Sequence, residues 1–507
     1  MELPLPEVHF RALMLAVLLP AWPLSGQQPA RDPDVIARLV DSLTQQVVAE
    51  GLAPALGVAV VMDGRTVYAR SHGMTDVTAG VPVDDSTLWY LASTSKSLTG
   101  FGVSLLAQRG LLQFDTPITS LLPGVQWHPT AKADSLTLAH FLSHTHNLDD
   151  KAVVLSAAFT GEVAENQWPQ LIRLAERRPA ADLVYSNFGY NVAAMVIDRL
   201  RPEGWKSFLE ANVYRPAGML ETYARISGIN PRRIAKPHVL RAGGKYESRP
   251  FFKTDRTMNS AGGHLSTLRD LARWTIVQMD SGVIDGKRVF PAAAIELSQR
   301  LIARHTRDQS RRFAFFDREG WAAGWDIGSY QGEPMVSRFG SYDATRSHLS
   351  FLPRRRVGVV AMSSGGPSVV TDVIAALVFD LEAGRSDALA RADERLKDIR
   401  KRLAEAPAAI AAQDSTRAAR QRQPLSRPLS DFTGTFRDGA YGAISFKLER
   451  GALGYRWGDL YGPVEIYDAA KSQMRIEMAG SGTVVTFGFD APGPATSVTI
   501  NGITLRR

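Results

Sequence analysis

Leu91-Ala92-Ser93-Thr94-Ser95-Lys96 places a serine and a lysine three positions apart at the head of an apolar run ending near Gln108. On a helix those positions share a face, so Lys96 reaches the Ser93 hydroxyl. A hydroxyl needs a base to become a nucleophile, and lysine serves only when its pKa falls from about 10.4. Burial and the positive N-terminal end of a helix both favour the neutral amine. Alone the spacing says little, because a chain this long holds roughly one S-x-x-K by chance. A helix start with a surface lysine looks the same.

Two further groups have the right chemistry. Tyr185-Ser186-Asn187 lies in a loop ahead of the apolar run Phe188–Leu200. A tyrosine held against a cation relays protons, and an asparagine amide can hold both a lysine and a substrate carbonyl. Arg338-Phe339-Gly340-Ser341 comes before a β-type run at His348–Leu352. There a cation sits beside a glycine that lets backbone approach a substrate closely, a plausible binding edge. His144-Thr145-His146 with Asp149-Asp150 imitates a zinc signature. The aspartate is one place too far along and no histidine follows, so no metal site is expected. The aromatics Phe313, Phe315, Phe316, Trp321 and Trp325 either line a pocket or, as the commoner use of such residues, fill the core.

The elements that must position these groups follow from periodicity. Helical spacing of Ile36, Leu39, Val40, Leu43 and Val47 predicts a helix over Asp34–Glu50. Leu56–Met62 and Thr66–Ser71 flank Asp63-Gly64 and predict a hairpin. Ser93–Gln108 reads as a helix closed by Gly110. The region from about 115 to 300 reads as mostly helical, with a capping box at Thr267 and Asp270. Strands return at His348–Leu352 and Val357–Met362, followed by a helix over about 369–382. The class expected is α/β (α+β): one antiparallel sheet closed by both ends of the segment, flanked by helices, with a helical insertion. Residues 386–428, rich in Ala, Arg and Gln, read as a solvated helix and linker. Residues 429–507, with turn pairs such as Arg450-Gly451 and Asn501-Gly502, read as a small all-β barrel or sandwich.

The whole sequence has 507 residues, 45% of them hydrophobic and 22% charged, which suits a globular protein with a large core. The absence of cysteine excludes a disulfide scaffold, a thiolate nucleophile and Cys-ligated metals. A net charge of +8 permits attraction to anionic surfaces without predicting nucleic-acid binding. Residues 1–26, with the apolar run Ala12–Leu19 and then Pro20, Pro23 and Ser25-Gly26, have the layout of a cleaved signal peptide. No later run reaches about 18 apolar residues, so the expectation is a periplasmic or secreted protein with no permanent membrane span.

Taken together and in this order, the three motifs resemble those of the serine β-lactamase and penicillin-binding-protein superfamily, in the branch of class C β-lactamases, D-aminopeptidases and related esterases. Leu142-Ser143-His144-Thr145 is similar to the family's "LLTHTSG" stretch. Ala261-Gly262-Gly263 with Ser266-Thr267-x-x-Asp270-Leu271 is similar to its "GG-x-x-ST-x-x-DL" segment. The resemblance covers residues 32–385. Phe432-x-Gly434-x-Phe436 and Gly439–Gly442 resemble the lipocalin-like β-domain attached to such hydrolases.

The resemblance implies a serine hydrolase acting through an acyl-serine on an amide, ester or lactam, with no cofactor. Ser93 would be acylated, Lys96 and Tyr185 would handle the proton, and Asn187 would position substrate and lysine. The backbone N–H groups of Ser93 and Ser341 would bind the oxyanion beside Gly340. The implied partner is a small molecule or peptide, cell-wall derived if the family's habits hold. The alternative is a sensor of peptidoglycan or β-lactam that is acylated with little turnover. Three positions depart from the family pattern: Arg338 stands where His or Lys is usual, His146-Asn147 replaces Ser-Gly, and Ala344 replaces a glycine. Arginine stays protonated, so Arg338 is expected to bind a substrate carboxylate and not to shuttle protons.

Overall fold

The two residues Asp63 and Gly64 both have left-handed φ, +48° and +76°. That pair closes a two-residue hairpin whose twist matches its strands, β1 (Ala55–Met62) and β2 (Arg65–Asp76). This computed structural model describes residues 32–149, 151–179, 184–306 and 315–507. The expected signal peptide at residues 1–26, and Asp150 and Phe313, lie outside the described residues.

β1 and β2 with β3 (Val81–Pro82) form one side of a nine-stranded antiparallel sheet. The other side is a meander of β4 (Ala303–Arg304), β5 (Asp317–Trp321), β6 (Asp326–Tyr330), β7 (Glu333–Tyr342), β8 (Thr345–Leu352) and β9 (Val357–Ser363). The strand order is β4-β5-β6-β7-β8-β9-β1-β2-β3, so the chain's early hairpin zips onto its late strand β9. Every residue of β1 is buried, because both faces of the sheet are covered. On one face Val58 and Val60 meet helices α1 (Pro33–Ala49) and α5 (Val369–Glu382). On the other, Ala59 and Val61 belong to the core built on α2 (Ser95–Gln108), α3 (Phe188–Leu200) and α4 (Leu268–Met279). Each fully buried Val, Leu or Phe there stabilises the fold by about 1.5–3 kcal/mol, so both faces of the sheet contribute to stability.

The middle of the chain is less helical than its composition suggests. Between α3 and α4 the residues after Arg215 form turns and the short strands Thr222–Tyr223, His238–Leu240, Tyr246–Ser248 and Leu265–Ser266. Pro231, Pro237 and Pro250, with left-handed Gly218, Gly228 and Gly244, interrupt any longer helix there. At the start of α4, Thr267 accepts the Asp270 N–H at 3.3 Å, but the expected reciprocal half of the box is absent. Asp270 turns instead to Glu221 N at 2.7 Å and Thr222 Oγ1 at 2.9 Å.

Beyond the sheet, α6 (Ala388–Gln421) runs as one 34-residue helix that includes Pro407. Its first half is tied to the sheet layer by Arg400–Glu50 at 2.8 Å, and its second half to the barrel by Arg417 Nε–Glu465 at 3.0 Å. The barrel has eight antiparallel strands from Gly434–Asp438 to Ile503–Arg506 and is closed by their pairing. Phe436, Phe446, Trp457, Ile476, Phe487 and Leu505 fill its interior, as eight strands leave room for side chains and little else. The fold is thus mixed α/β with a large helix-flanked antiparallel sheet and a C-terminal closed barrel. No helix among the described residues is long and apolar enough to cross a membrane.

Candidate active site

The chain enters α2 through a sharp bend. Ala92 holds a left-handed φ of +46°, a conformation that costs a non-glycine residue on the order of 1–3 kcal/mol. One 3-10 turn, Ala92–Thr94, then leads into Ser95–Gln108. The bend presents Ser93, half-buried, at the positive end of a helix that is otherwise sunk in the core.

One turn along, Lys96 is fully buried. Its Nζ donates to Asn187 Oδ1 at 2.6 Å and to the Ala261 carbonyl at 2.6 Å, and lies 3.3 Å from Ser93 Oγ. Burial, and then the positive charge of Arg338, hold its pKa well below the ordinary lysine value. A neutral amine has two N–H bonds and one lone pair. With both N–H bonds spent on Asn187 and Ala261, the lone pair is left for the Ser93 hydroxyl. Asn187 is in turn fixed at the head of α3.

Tyr185 approaches Ser93 from the open side. Its hydroxyl lies 2.7 Å from Ser93 Oγ while the residue stays 44% exposed, so it stands at the cavity mouth. Against it His144, in a left-handed bend with φ +62°, packs its ring at a tilt with centroids 4.6 Å apart and has Nδ1 2.9 Å from the Ser186 carbonyl. Burial, followed by the charge of Arg338, pushes the His144 pKa well below its usual value, so the ring is a neutral support. His146 stacks on Phe141 at 5.0 Å and accepts the Leu148 N–H, which spends the false zinc pair on packing.

The third motif lies on strand β7 itself, directly ahead of the expected strand, which is β8. Gly340 is forced: a Cβ there would stand 2.2 Å from the Leu91 carbonyl and 2.9 Å from Ser93 N. This contact brings β7 against the Ser93 bend and leaves Ser341, the next residue, exposed beside it. Ser347 on β8 locks the arrangement, with its Oγ 2.6 Å from the Leu91 carbonyl and 2.8 Å from Thr94 Oγ1.

Arg338 departs from expectation. It is 1% exposed, and each of its nitrogens already has a protein partner. Nε donates to the Ser93 carbonyl at 3.0 Å, Nη2 to the Tyr185 oxygen at 3.0 Å, and Nη1 lies 3.4 Å from Asp326 on β6. Asp326 also pairs with Arg318 on β5. The fork therefore ties Ser93, Tyr185 and Asp326 together at the wall of the site. Its charge faces the phenol oxygen and depresses the Lys96 pKa.

These groups border a cavity of about 730 Å³ whose wall includes Ser93, Tyr185, Arg338, Gly340 and Ser341, with the Trp321 ring beside Tyr185 and Arg338. Lys96 and Asn187 lie behind Ser93. All seven residues singled out by sequence thus come together around one hydroxyl. Sequence patterns missed Asp326, Arg318 and Ser347, which carry no local signal, and the Ala261 carbonyl, which a backbone-first look at the Ala261-Gly262-Gly263 turn could have found. Of the aromatic cluster, Trp321 lines the cavity while Phe316 and Trp325 are core.

A family model described as Beta-lactamase matches residues 40–382. The chain therefore belongs to the beta-lactamase family of serine hydrolases. Among curated relatives, penicillin-binding protein 4 of Amycolatopsis lactamdurans is 24% identical over 66% of this chain and 87% of its own length. Unguisins hydrolase ungD of Aspergillus violaceofuscus is 24% identical over 61% of this chain and 58% of its own length. Among solved structures, the octameric penicillin-binding protein homologue from Pyrococcus abyssi shares the fold over 93% of this chain and 99% of its own, with a TM-score of 0.58 at 17% identity. D-amino acid amidase from Ochrobactrum anthropi does so over 72% of this chain and 99% of its own, with a TM-score of 0.55 at 19% identity.

Proposed function

We propose that the protein hydrolyses amide, ester or lactam bonds through an acyl-Ser93 intermediate, outside the cytoplasm if the leader at residues 1–26 is cleaved. The observation that carries the reading is the convergence on Ser93 Oγ of a fully buried lysine whose pKa burial lowers and a tyrosine at 2.7 Å. Ser93 Oγ attacks the acyl carbon and gives its proton to Lys96 Nζ. The new oxyanion is met by the N–H groups of Ser93 and Ser341. Tyr185 passes a proton to the leaving group as the scissile bond breaks, and Asn187 holds Lys96 in place. Water then attacks the acyl carbon and gives its proton to the Tyr185 oxygen, while the Lys96 ammonium returns its proton to Ser93 Oγ as the acyl–oxygen bond breaks.

Arg338 acts in this scheme by donating to the Tyr185 oxygen as negative charge develops there. Arg338→Ala should therefore lower kcat/KM for acyl donors with and without a carboxylate to the same degree, by roughly 10- to 150-fold for one lost charged hydrogen bond of about 1.5–3 kcal/mol. It should also move the alkaline activation limb upward, since the cation that depresses Lys96 is gone. A loss confined to carboxylate-bearing donors would restore the anchor role.

An acylated sensor and a hydrolase behave alike until the first acyl group must leave. Pre-steady-state product release from a chromogenic ester or lactam should show a burst of about one equivalent and then steady release. A burst with no steady phase on any amide, ester or lactam would favour the sensor.

A further inference from the structure

Lys253 is a buried amine that the acyl-transfer chemistry does not use. It is 5% exposed, and its Nζ donates to the Ala158 carbonyl at 2.5 Å. Around it stand three rings: Tyr342, 3.9 Å from Nζ to centroid, Tyr90 at 5.6 Å and Phe159 at 5.7 Å. Burial pushes its pKa down to about 7. A methionine would fill the same space without desolvating an amine, so packing alone does not account for a lysine here.

The cage joins parts that matter to Ser93. Tyr342 directly follows Ser341 on β7, Tyr90 lies three residues before Ser93, and the two rings are 5.2 Å apart. Ala158 and Phe159 belong to a π-helical turn, Ser156–Thr160, that the barrel holds. Asp459 N–H, on a barrel hairpin, donates to Thr160 O at 2.8 Å, and the Asp459 carboxylate takes Thr254 Oγ1 and Arg256. The fit is close: a Cβ on Gly458 would stand 1.9 Å from Thr160 O. A second barrel turn seats against the end of β7, where a Cβ on Gly480 would lie 2.5 Å from Asp343 Oδ1. Arg249 bridges the same place, 3.6 Å from Asp343 and 2.9 Å from Glu477 of the barrel.

We infer that Lys253 is a positioning residue through which the docked barrel sets the spacing of the two backbone segments, at Ser93 and at Ser341, that receive the oxyanion. The inference rests on the reading of Ser93 as the acylated residue. It assigns the barrel a part in the rate of acylation and none in ground-state binding. Displacing a reacting geometry by a fraction of an ångström is costly to the chemical step while leaving substrate contacts intact.

The test is the rate of covalent labelling by a fluorophosphonate, resolved into kinact and KI, in the full chain and in Lys253→Met, Asp459→Ala, Thr254→Val and Ser93→Ala, each with a thermal melt. Folded Lys253→Met and Asp459→Ala should show kinact reduced about 10- to 100-fold with KI within about twofold of the parent. If Lys253→Met does not fold, Asp459→Ala on the barrel and Thr254→Val, its partner beside Lys253, which break the same line at the barrel contact, decide the matter. An unchanged kinact in the folded variants, or a rise in KI alone, overturns the inference. Labelling of Ser93→Ala at the parent rate instead overturns the assignment of Ser93, a separate result.

Discussion

Lys96→Met should leave Ser93 in place and lower kcat/KM by roughly 10⁴-fold or more, because the nucleophile loses the one base whose lone pair faces it. The substitution keeps the length of the side chain and removes the amine, so the loss reports on proton transfer more than on packing. A pH profile of the parent gives the same assignment an independent check. The neutral amine is the active form, so the rate rises with pH as Lys96 loses its proton. Burial and Arg338 lower that pKa, so the rising limb should lie well below the value of about 10.4 for a free lysine, with a plateau above it. A limb centred near that value would mean that Lys96 is charged at neutral pH and is not the base.

Tyr185→Phe should cost about 10²- to 10⁴-fold, the usual reach of one general acid, and the cost should depend on the leaving group. An amide nitrogen must be protonated before it departs, whereas a p-nitrophenolate leaves as the anion. Loss of the hydroxyl 2.7 Å from Ser93 Oγ should therefore damage amide hydrolysis far more than hydrolysis of p-nitrophenyl esters. Equal losses for both would place Tyr185 with Lys96 in activating the serine. The comparison is a matched amide and ester of the same acyl group, measured in parent and variant.

The parts of this site that sequence could reveal are the parts that local rules govern. Asp63-Gly64 announced its hairpin because a two-residue turn needs two left-handed residues. Ser93 and Lys96 could be paired because helix geometry alone puts i and i+3 on one face. Strands β5 and β6 stayed hidden for the opposite reason. β5 buries Arg318 and β6 buries Asp326, and a charged residue in a short polar stretch reads as loop until its partner is known. The same limit hid the partners of Arg338. Its type suggested carboxylate binding, but its partners Tyr185 and Asp326 come from two other elements, and only the folded sheet brings them within reach. Gly340 suggests by its type a point where backbone comes close to a substrate, and in the fold it comes close to protein. The object approached, the Leu91–Ser93 backbone, could not be read from its neighbours in sequence.

The most direct measurement is the site of acylation. The full chain is incubated with a fluorescent penicillin and, separately, with a fluorophosphonate, and the adduct is located by peptide mass spectrometry in parent and Ser93→Ala protein. One adduct per chain on the peptide carrying Ser93, absent from Ser93→Ala, is the predicted result. A label on any other residue, or undiminished labelling of Ser93→Ala, would contradict it.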